Sequence, residues 1–341
     1  MIIHIIDPML RLSTSAAGIE FRIFCIGDKM SSVSSQSFDL PLHHDLYPAI
    51  DPAGVLAGSA DGKVAFISGG SSGIGRATAV ALARAGARAI FLTARSEGKL
   101  EETQAVISRV SPATGCAYML CDVKDKDQVK AAIDECVTRF DGIDIAHANA
   151  GYLDKWSKIG DSDPESWWHC FEVNVQGTYH VARYAIPHLV ASAQRHRHSA
   201  ISGGHLILMS SVGAQLLTPG ASDYQTTKHA LNRLCEFIQV DHGSDGMKCF
   251  AIHPGGVPTD LALNMPREIH SVLVDKPELA AGFITWLCSG RADWASGRYL
   301  SAQWDVDKLL STKDDILQND LLVNRLRTAG GLSSVLPSLY G

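Results

Sequence analysis

Paired cysteines are missing from this chain. Its eight cysteines are scattered over 341 residues, and no two stand as a CxxC pair. Several lie in apolar runs, where a thiol serves as a small buried hydrophobe. The pattern excludes a disulfide framework and a cysteine zinc site, and it reads as reduced thiols in a cytoplasmic protein with no metal. No apolar run approaches the roughly 18 residues that a membrane span needs. Basic charge is not in excess either: 30 Lys and Arg stand against 36 Asp and Glu, a net charge of −6. That balance argues against nucleic acid or an anionic membrane as the main partner. There is no internal repeat and no sign of a second core, so one large α/β domain accounts for the length.

What the chain does have is the stretch from Lys63 to Ala85. Val64-Ala65-Phe66-Ile67 is a short apolar run of the kind found in strands buried on both faces. The turn Gly69-Gly70-Ser71-Ser72-Gly73-Ile74-Gly75 follows, and then an Ala-rich helical run closed by Gly86. Strand, glycine turn and helix place phosphate oxygens on free N–H groups at a helix N-terminus. Glycine is useful there because a Cβ would hold the phosphate away from the backbone. The spacing is GxxxGxG and not GxGxxG, so the position between strand and helix carries the argument.

The same grammar repeats along the chain. Strands are expected at Ala89–Leu92, Ala117–Cys121, Ile143–Ala148, His205–Met209, Cys249–Ile252 and Tyr299–Leu300. Helices are expected over about 97–110 and 126–140. Asp163-Pro164 reads as an N-cap with proline at the first helical position, opening a long helix towards Gly177 and on to Pro187. Leu231, Leu234, Cys235 and Ile238 mark the buried face of a later helix. Strands alternating with helices give a doubly wound parallel sheet of about seven strands in a single Rossmann-type domain. The C-terminal strand ends then form one rim, carrying Gly69, Asp122, Asn149, Ser210, Ser211 and Pro254.

Tyr224 is alone among the eight tyrosines in having a lysine, Lys228, four residues on, one helical turn away. Ser211 precedes it just past the fifth strand, and Thr218-Pro219-Gly220 can turn the chain back. A phenol titrates near 10, too high for acid–base work at neutral pH, and a neighbouring ammonium favours the phenolate. With a cationic nicotinamide, Lys228 is therefore expected to draw the Tyr224 pKa down.

These motifs together resemble the short-chain dehydrogenases/reductases. The resemblance runs from about Gly62 to Leu300, through SGGSSGIG at 68–75, Asp122-Val123, Asn149-Ala150-Gly151, Asn174, Ser211, Tyr224-x-x-x-Lys228 and Pro254-Gly255. It implies Tyr224 as general acid/base, Ser211 as the hydroxyl that holds the substrate carbonyl, and Lys228 on the nicotinamide ribose. Asn174 would hold a water that relays protons behind the lysine. Gly69, Ser71, Ser72, Gly73 and Ile74 would cradle the dinucleotide. Asp122 and Val123 would touch the adenine and Asn149 the adenosine ribose, while Pro254, Gly255, Val257 and Thr259 would line the nicotinamide. Ser68 replaces the usual threonine, and Ser-Ala-Gln-Trp-Asp at 301–305 replaces the usual Asp-Gly-Gly turn. The tail and the YPAIDP segment at 47–52 are most similar to fungal branches of the family, many of which serve secondary metabolism.

The expected activity is hydride transfer between NADP(H) and the carbonyl or alcohol carbon of a small molecule. A dinucleotide-binding regulator without turnover, or an epimerase or dehydratase, remains open. NADP(H) is favoured because the second strand ends in Ala94-Arg95: no carboxylate stands where an NAD enzyme reads the ribose 2′-OH, and Arg95 can hold a 2′-phosphate. Arg76 and Lys99 are further candidates for that phosphate. Leu261–Lys276 is expected to be a mobile lid that selects the substrate. Residues 1–37 are expected to be a disordered or superfluous extension, with Met30 a natural start. Residues 38–62 should form an arm over the domain of residues 63–305, and 306–341 a helical extension. Tyr179, Tyr184, Leu234 and Phe237 are expected at a homodimer or homotetramer contact.

Overall fold

The computed structural model describes residues 40–197 and 202–326, together with a two-residue antiparallel pair, Thr14–Ser15 on Gly18–Ile19. The expectations for most of residues 1–37, and for the tail after 326, lie outside the described residues.

Seven strands form one sheet: β1 (Val64–Ser68), β2 (Ala89–Ala94), β3 (Gly115–Leu120), β4 (Ile145–Ala148), β5 (His205–Met209), β6 (Lys248–His253) and β7 (Tyr299–Ser301). Their order is β3-β2-β1-β4-β5-β6-β7 and every pairing is parallel. The central strands are mostly apolar because helices cover both faces; all five residues of β1 and all five of β5 are buried, Ser68 and His205 among them. The direction of winding reverses between β1 and β4, and such a switch point opens a crevice at the strand ends. Gly69 and Asn149 stand there.

The main helices are α1 (Gly73–Arg84), α2 (Glu97–Val110), α3 (Lys126–Phe140), α4 (Pro164–Phe171), α5 (Gly177–Arg195), α6 (Ser222–His242) and α7 (Pro277–Trp286). On one face, Ile133 of α3, Ala185 and Leu189 of α5, and Cys235 of α6 pack with Phe66, Phe91 and Leu206 of the sheet. Elsewhere α1 packs on α7, whose Leu279, Phe283 and Trp286 are buried. Two short helices, α8 (Val306–Ser311) and α9 (Lys313–Gln318), follow β7.

Three local expectations change. The helix expected from Pro164 is two helices joined by a π-turn at Glu172–Gln176, and the second runs through Pro187 to Arg195. Proline removes one hydrogen bond there, but Ala185 and Leu189 beside it are fully buried, and that packing outweighs the loss. The fourth strand begins at Ile145 and not at Ile143. Asp144 is buried just before it, its N–H donating to the Val64 carbonyl at 2.9 Å and its carboxylate accepting the Val64 N–H at 2.8 Å. The third strand runs 115–120, starting two residues and ending one residue earlier than expected, in register with Ala89–Ala94.

Residues 40–62 are bonded to the domain. Leu42 bridges Trp304, the Asp305 N–H donates to the Pro41 carbonyl at 3.0 Å, and Ile50 and Leu56 are fully buried. Gly282 of α7 allows the approach: a Cβ there would stand 2.6 Å from the Ile50 carbonyl oxygen.

Candidate active site

The glycine turn is shaped by close contacts. Gly69 and Gly73 have φ of 66° and 51°, the left-handed region that disfavours side chains. At Gly75 a Cβ would lie 2.3 Å from the Gly69 carbonyl oxygen, so α1 can start there only on glycine. Ser72 is the N-cap of α1, yet its side chain makes no capping bond, which leaves the first-turn N–H groups without a side-chain partner. Asn149 braces the turn from β4, its Nδ2 donating to the carbonyls of Ser68 and Gly69 at 3.0 Å each. The Ser68 hydroxyl accepts from the N–H groups of Asn149 (3.1 Å) and Ala150 (3.2 Å). Serine therefore does the bonding expected of the usual threonine. A turn with a Cβ-intolerant floor and free N–H groups at a helix start fits the pyrophosphate of a dinucleotide.

Ser211, Tyr224 and Lys228 meet on the same rim, at the end of β5 and the first turns of α6. Ser211 Oγ caps the short turn Val212–Gln215, accepting the Gly213 N–H at 3.0 Å. A Cβ on Gly213 would lie 3.3 Å from Ser211 Oγ and 3.7 Å from Tyr224 Cε1, so serine and tyrosine flank one point. The return between them is made at Gly220, φ 88°, and Gln225 bonds Thr218 through both its amide atoms. Lys228 Nζ is buried, 5.3 Å from the centroid of the Tyr224 ring, and donates to the Met209 carbonyl at 2.7 Å.

Burial sets the electrostatics of this pair first. Burial pushes the Tyr224 phenol up to about 12, with a hydrogen bond from Ser211 partly opposing it. Burial pushes the Lys228 ammonium down to about 8. The lysine lies over the ring face and gives a hydrogen bond to Met209, so it acts on the phenol by its field and not by a bond to the phenol oxygen. The expected lowering depends on a cationic nicotinamide beside Lys228, and burial of the phenol acts against it.

Asn174 sits in the π-turn, fully buried. Its Oδ1 accepts the Tyr152 N–H at 2.7 Å, and its Nδ2 donates to the Tyr152 carbonyl (2.9 Å) and Thr227 Oγ1 (3.0 Å). The side chain thus ties the segment after β4 to α6, with Thr227, the residue before Lys228, as its link. Thr227 and Tyr152 are partners the motif reading missed. Only the position of Thr227, next to the lysine, could have pointed to it.

Asp122 and Val123 follow β3. Asp122 Oδ1 accepts the Lys124 N–H at 3.0 Å, and Val123 is buried against Gly177, where a Cβ would stand 2.6 Å from Val123 Cγ2. Arg95 is exposed and has no bonded partner among the described residues, whereas Arg76 is committed to Glu102 (2.9 Å), Thr103 and Ser71. Lys99 lies 3.6 Å from Asp260. Across the crevice, Gly255 has φ of 94°, and a Cβ on Gly73 would lie 3.1 Å from Thr259 Cγ2, so Thr259 stands beside the start of α1. The segment expected to be a lid holds two short turns, Ala262–Asn264 and Arg267–Val272. Asn264 Nδ2 donates to the Leu153 carbonyl at 2.9 Å.

Of the residues expected at a subunit contact, Tyr179 and Phe237 are exposed, but Tyr184 and Leu234 pack against the core. Both are partly buried, and the period that put Leu234 on the buried face of its helix agrees with its packing. Trp168 and Val240 are exposed as well.

A dinucleotide turn and a serine, tyrosine and lysine on one rim define a class of oxidoreductase, and known proteins place the chain in it. The short chain dehydrogenase family model matches residues 63–269. Short chain dehydrogenase citE of Monascus ruber is 41% identical over 287 residues, covering 83% of this chain and 94% of that relative. Short chain dehydrogenase pigC of the same organism is 36% identical over 289 residues, covering 82% and 91%. The crystal structure of 3-ketoacyl-(acyl-carrier-protein) reductase from Brucella melitensis, complexed with NADH, superposes with a TM-score of 0.63 at 24% identity, covering 71% of this chain and 96% of that one. This chain belongs to the short-chain dehydrogenase family. Among the described residues, no helix is long and apolar enough to cross a membrane.

Proposed function

We propose that the protein is an NADP(H)-dependent oxidoreductase that interconverts a ketone and an alcohol on a small molecule. The observation that carries this reading is the convergence of Ser211, Tyr224 and Lys228 beside a turn whose glycines admit no side chain. When bound, the dinucleotide supplies or accepts the hydride.

The chain's residues handle the proton. In reduction, Tyr224 Oη gives its proton to the substrate oxygen as negative charge builds there, and Ser211 Oγ donates a second hydrogen bond to the same atom. A phenol near 12 is a secure proton donor, and in the reverse direction it needs added positive charge to act as base. Lys228 provides part of that charge, held under the ring by Met209. Asn174 keeps the segment after β4 and the helix of Tyr224 in fixed relation. Ser71, Ser72 and Ile74 offer the turn's polar groups to the pyrophosphate, while Asp122, Val123 and Asn149 bound the adenosine side. Pro254, Gly255, Val257 and Thr259 bound the nicotinamide.

Free thiols at every described cysteine support a reducing compartment, the cytoplasm. Exposed Trp168, Tyr179, Phe237 and Val240 on α4, α5 and α6 support pairing of subunits. The reading is tested by following NADPH absorbance with a panel of ketones. Steady oxidation supports it; tight dinucleotide binding with no oxidation on any ketone would favour a regulator, and substrate turnover without net oxidation an epimerase.

A further inference from the structure

The segment from Gly256 to Asp275 is a closed loop, and its neck is built with care. The Asp275 N–H donates to the Gly256 carbonyl at 2.9 Å, and the Asp275 carboxylate accepts the Gly256 N–H at 2.5 Å. No side chain fits on the facing strand of the neck. A Cβ on Gly255 would lie 2.5 Å from Asp275 Oδ2, and one on Gly256 would lie 2.2 Å from the Val272 carbonyl oxygen. Between these ends run Val257 and Thr259, then the two short turns. The position of the neck therefore sets where Thr259 stands against the start of α1.

The Asp275 side chain is completely buried, and a buried carboxylate needs donors. Two come from distant parts of the chain. Gln303, in the turn after β7, donates to Oδ2 at 2.8 Å, and His44, in the arm, donates from Nδ1 to Oδ1 at 2.5 Å. His44 holds the neighbouring residue too, because its carbonyl accepts the Lys276 N–H at 2.9 Å. The unusual Ser-Ala-Gln-Trp-Asp turn supplies both Gln303 and the docking site of the arm. His43 pairs with Asp305 at 2.9 Å, and the Tyr47 hydroxyl donates to the Trp304 carbonyl at 3.2 Å and accepts the Val306 N–H at 2.9 Å.

We propose that His44 and Gln303 are positioning residues for the reaction: by clamping the buried Asp275 carboxylate they fix the neck of the 256–275 loop, which places Val257 and Thr259 and the loop's turns over the rim where Ser211 and Tyr224 stand. The arm is on this account a working part of the active site's cover, not packing alone. The catalytic part of the proposal rests on the oxidoreductase reading above, whereas the mechanical part does not.

The experiment compares His44→Ala, His44→Gln and His43→Ala in the full chain by amide exchange and steady-state kinetics. His43→Ala removes an arm contact, to Asp305, that does not touch Asp275, so it reports loss of arm packing by itself. His44→Ala should speed exchange across 256–275 about tenfold while β1 and α1 keep their protection. It should also lower kcat/KM about tenfold, through KM more than kcat. His44→Gln, which restores an N–H donor, should recover most of both, and His43→Ala should change neither. Unchanged loop exchange in His44→Ala, or equal loosening in His43→Ala, would overturn the proposal. Should His44→Ala not fold, Gln303→Leu removes the second donor and is held to the same outcomes. If no ketone is turned over by the wild type, the oxidoreductase reading fails, and the exchange data still decide whether the clamp holds the loop.

Discussion

Lys228 Nζ lies 5.3 Å from the centre of the Tyr224 ring but gives its hydrogen bond to the Met209 carbonyl, 2.7 Å away, at the end of β5. The arrangement fixes the ammonium beneath the aromatic face, where it acts by its field and by cation–π attraction and not by a bond to the phenol oxygen. The C-terminal end of an interior strand thereby orients the group that is to tune the tyrosine.

Replacing Tyr224 by Phe keeps that stack and the ring's packing but removes the transferable proton. Turnover should fall by about 10² to 10⁴, the usual worth of a positioned acid or base. Dinucleotide affinity, read by titration of NADPH fluorescence, should stay within about twofold of wild type, since a change that only removes a transition-state contact leaves ground-state binding intact. Near-normal turnover would remove Tyr224 from the acid–base role.

Lys228 also leaves a mark on stability. Its ammonium titrates near 8 in the folded protein and near 10.5 when exposed, because burial disfavours the charge. Between those values the unfolded chain holds the extra proton, so stability contributed by this site rises as pH goes from 8 to 10.5. Tyr224 acts in the opposite sense: the folded phenol keeps its proton to about 12 and the unfolded one loses it near 10, so its contribution falls over that upper range. Urea unfolding at pH 7.5 and 10 should show wild type gaining stability relative to Lys228→Met. A difference that does not move with pH would mean the ammonium is solvated.

Much of this site could be read from residue order because its parts are local. Gly69, Gly73 and Gly75 lie within one turn, Tyr224 and Lys228 within one helical turn, and Asn149 and Ser211 each follow an apolar strand. Side chains that meet across the fold left no such trace. His44 and Asp275 are 231 positions apart, and nothing in either's neighbourhood announces the other. Gly256 was the one available hint, a second glycine where a single turn glycine would do. The burial that acts on the Tyr224 phenol, and the carbonyl that holds the lysine, are likewise tertiary facts that residue order does not carry. Leu234 was legible as part of a buried face from its helical spacing, whereas the packing of Tyr184 against the core was not.

The Ser68 hydroxyl gives a test of the turn that does not involve chemistry. It accepts two backbone N–H groups, those of Asn149 and Ala150, in a buried place. Ser68→Ala leaves both donors without that partner and should cost about 1–3 kcal/mol in urea unfolding. Ser68→Thr, which keeps the hydroxyl, should cost far less. Equal losses in the two would show that space, and not the hydrogen bonds, is what Ser68 provides.

The cofactor preference turns on the end of β2. An NAD-reading site needs an acceptor for the ribose 2′-OH there, and Ala94 offers none. Next to it Arg95 is exposed and has no bonded partner among the described residues, so its guanidinium is available for two parallel charge-assisted bonds to a 2′-phosphate. Arg76 does not share that task, since Glu102, Thr103 and Ser71 occupy it, and Lys99 faces Asp260. That leaves Arg95 as the residue proposed for the 2′-phosphate. Arg95→Ala should weaken NADP(H) about tenfold or more and leave NAD(H) within about twofold, because a charge-assisted bond of about 1.5–3 kcal/mol is lost for one ligand only. Ala94→Asp should shift preference towards NAD(H), by supplying the ribose acceptor and repelling the phosphate together. Titration of both dinucleotides into wild type tests the premise first. Equal or tighter binding of NAD(H) would place the 2′ recognition elsewhere and end the role given to Arg95.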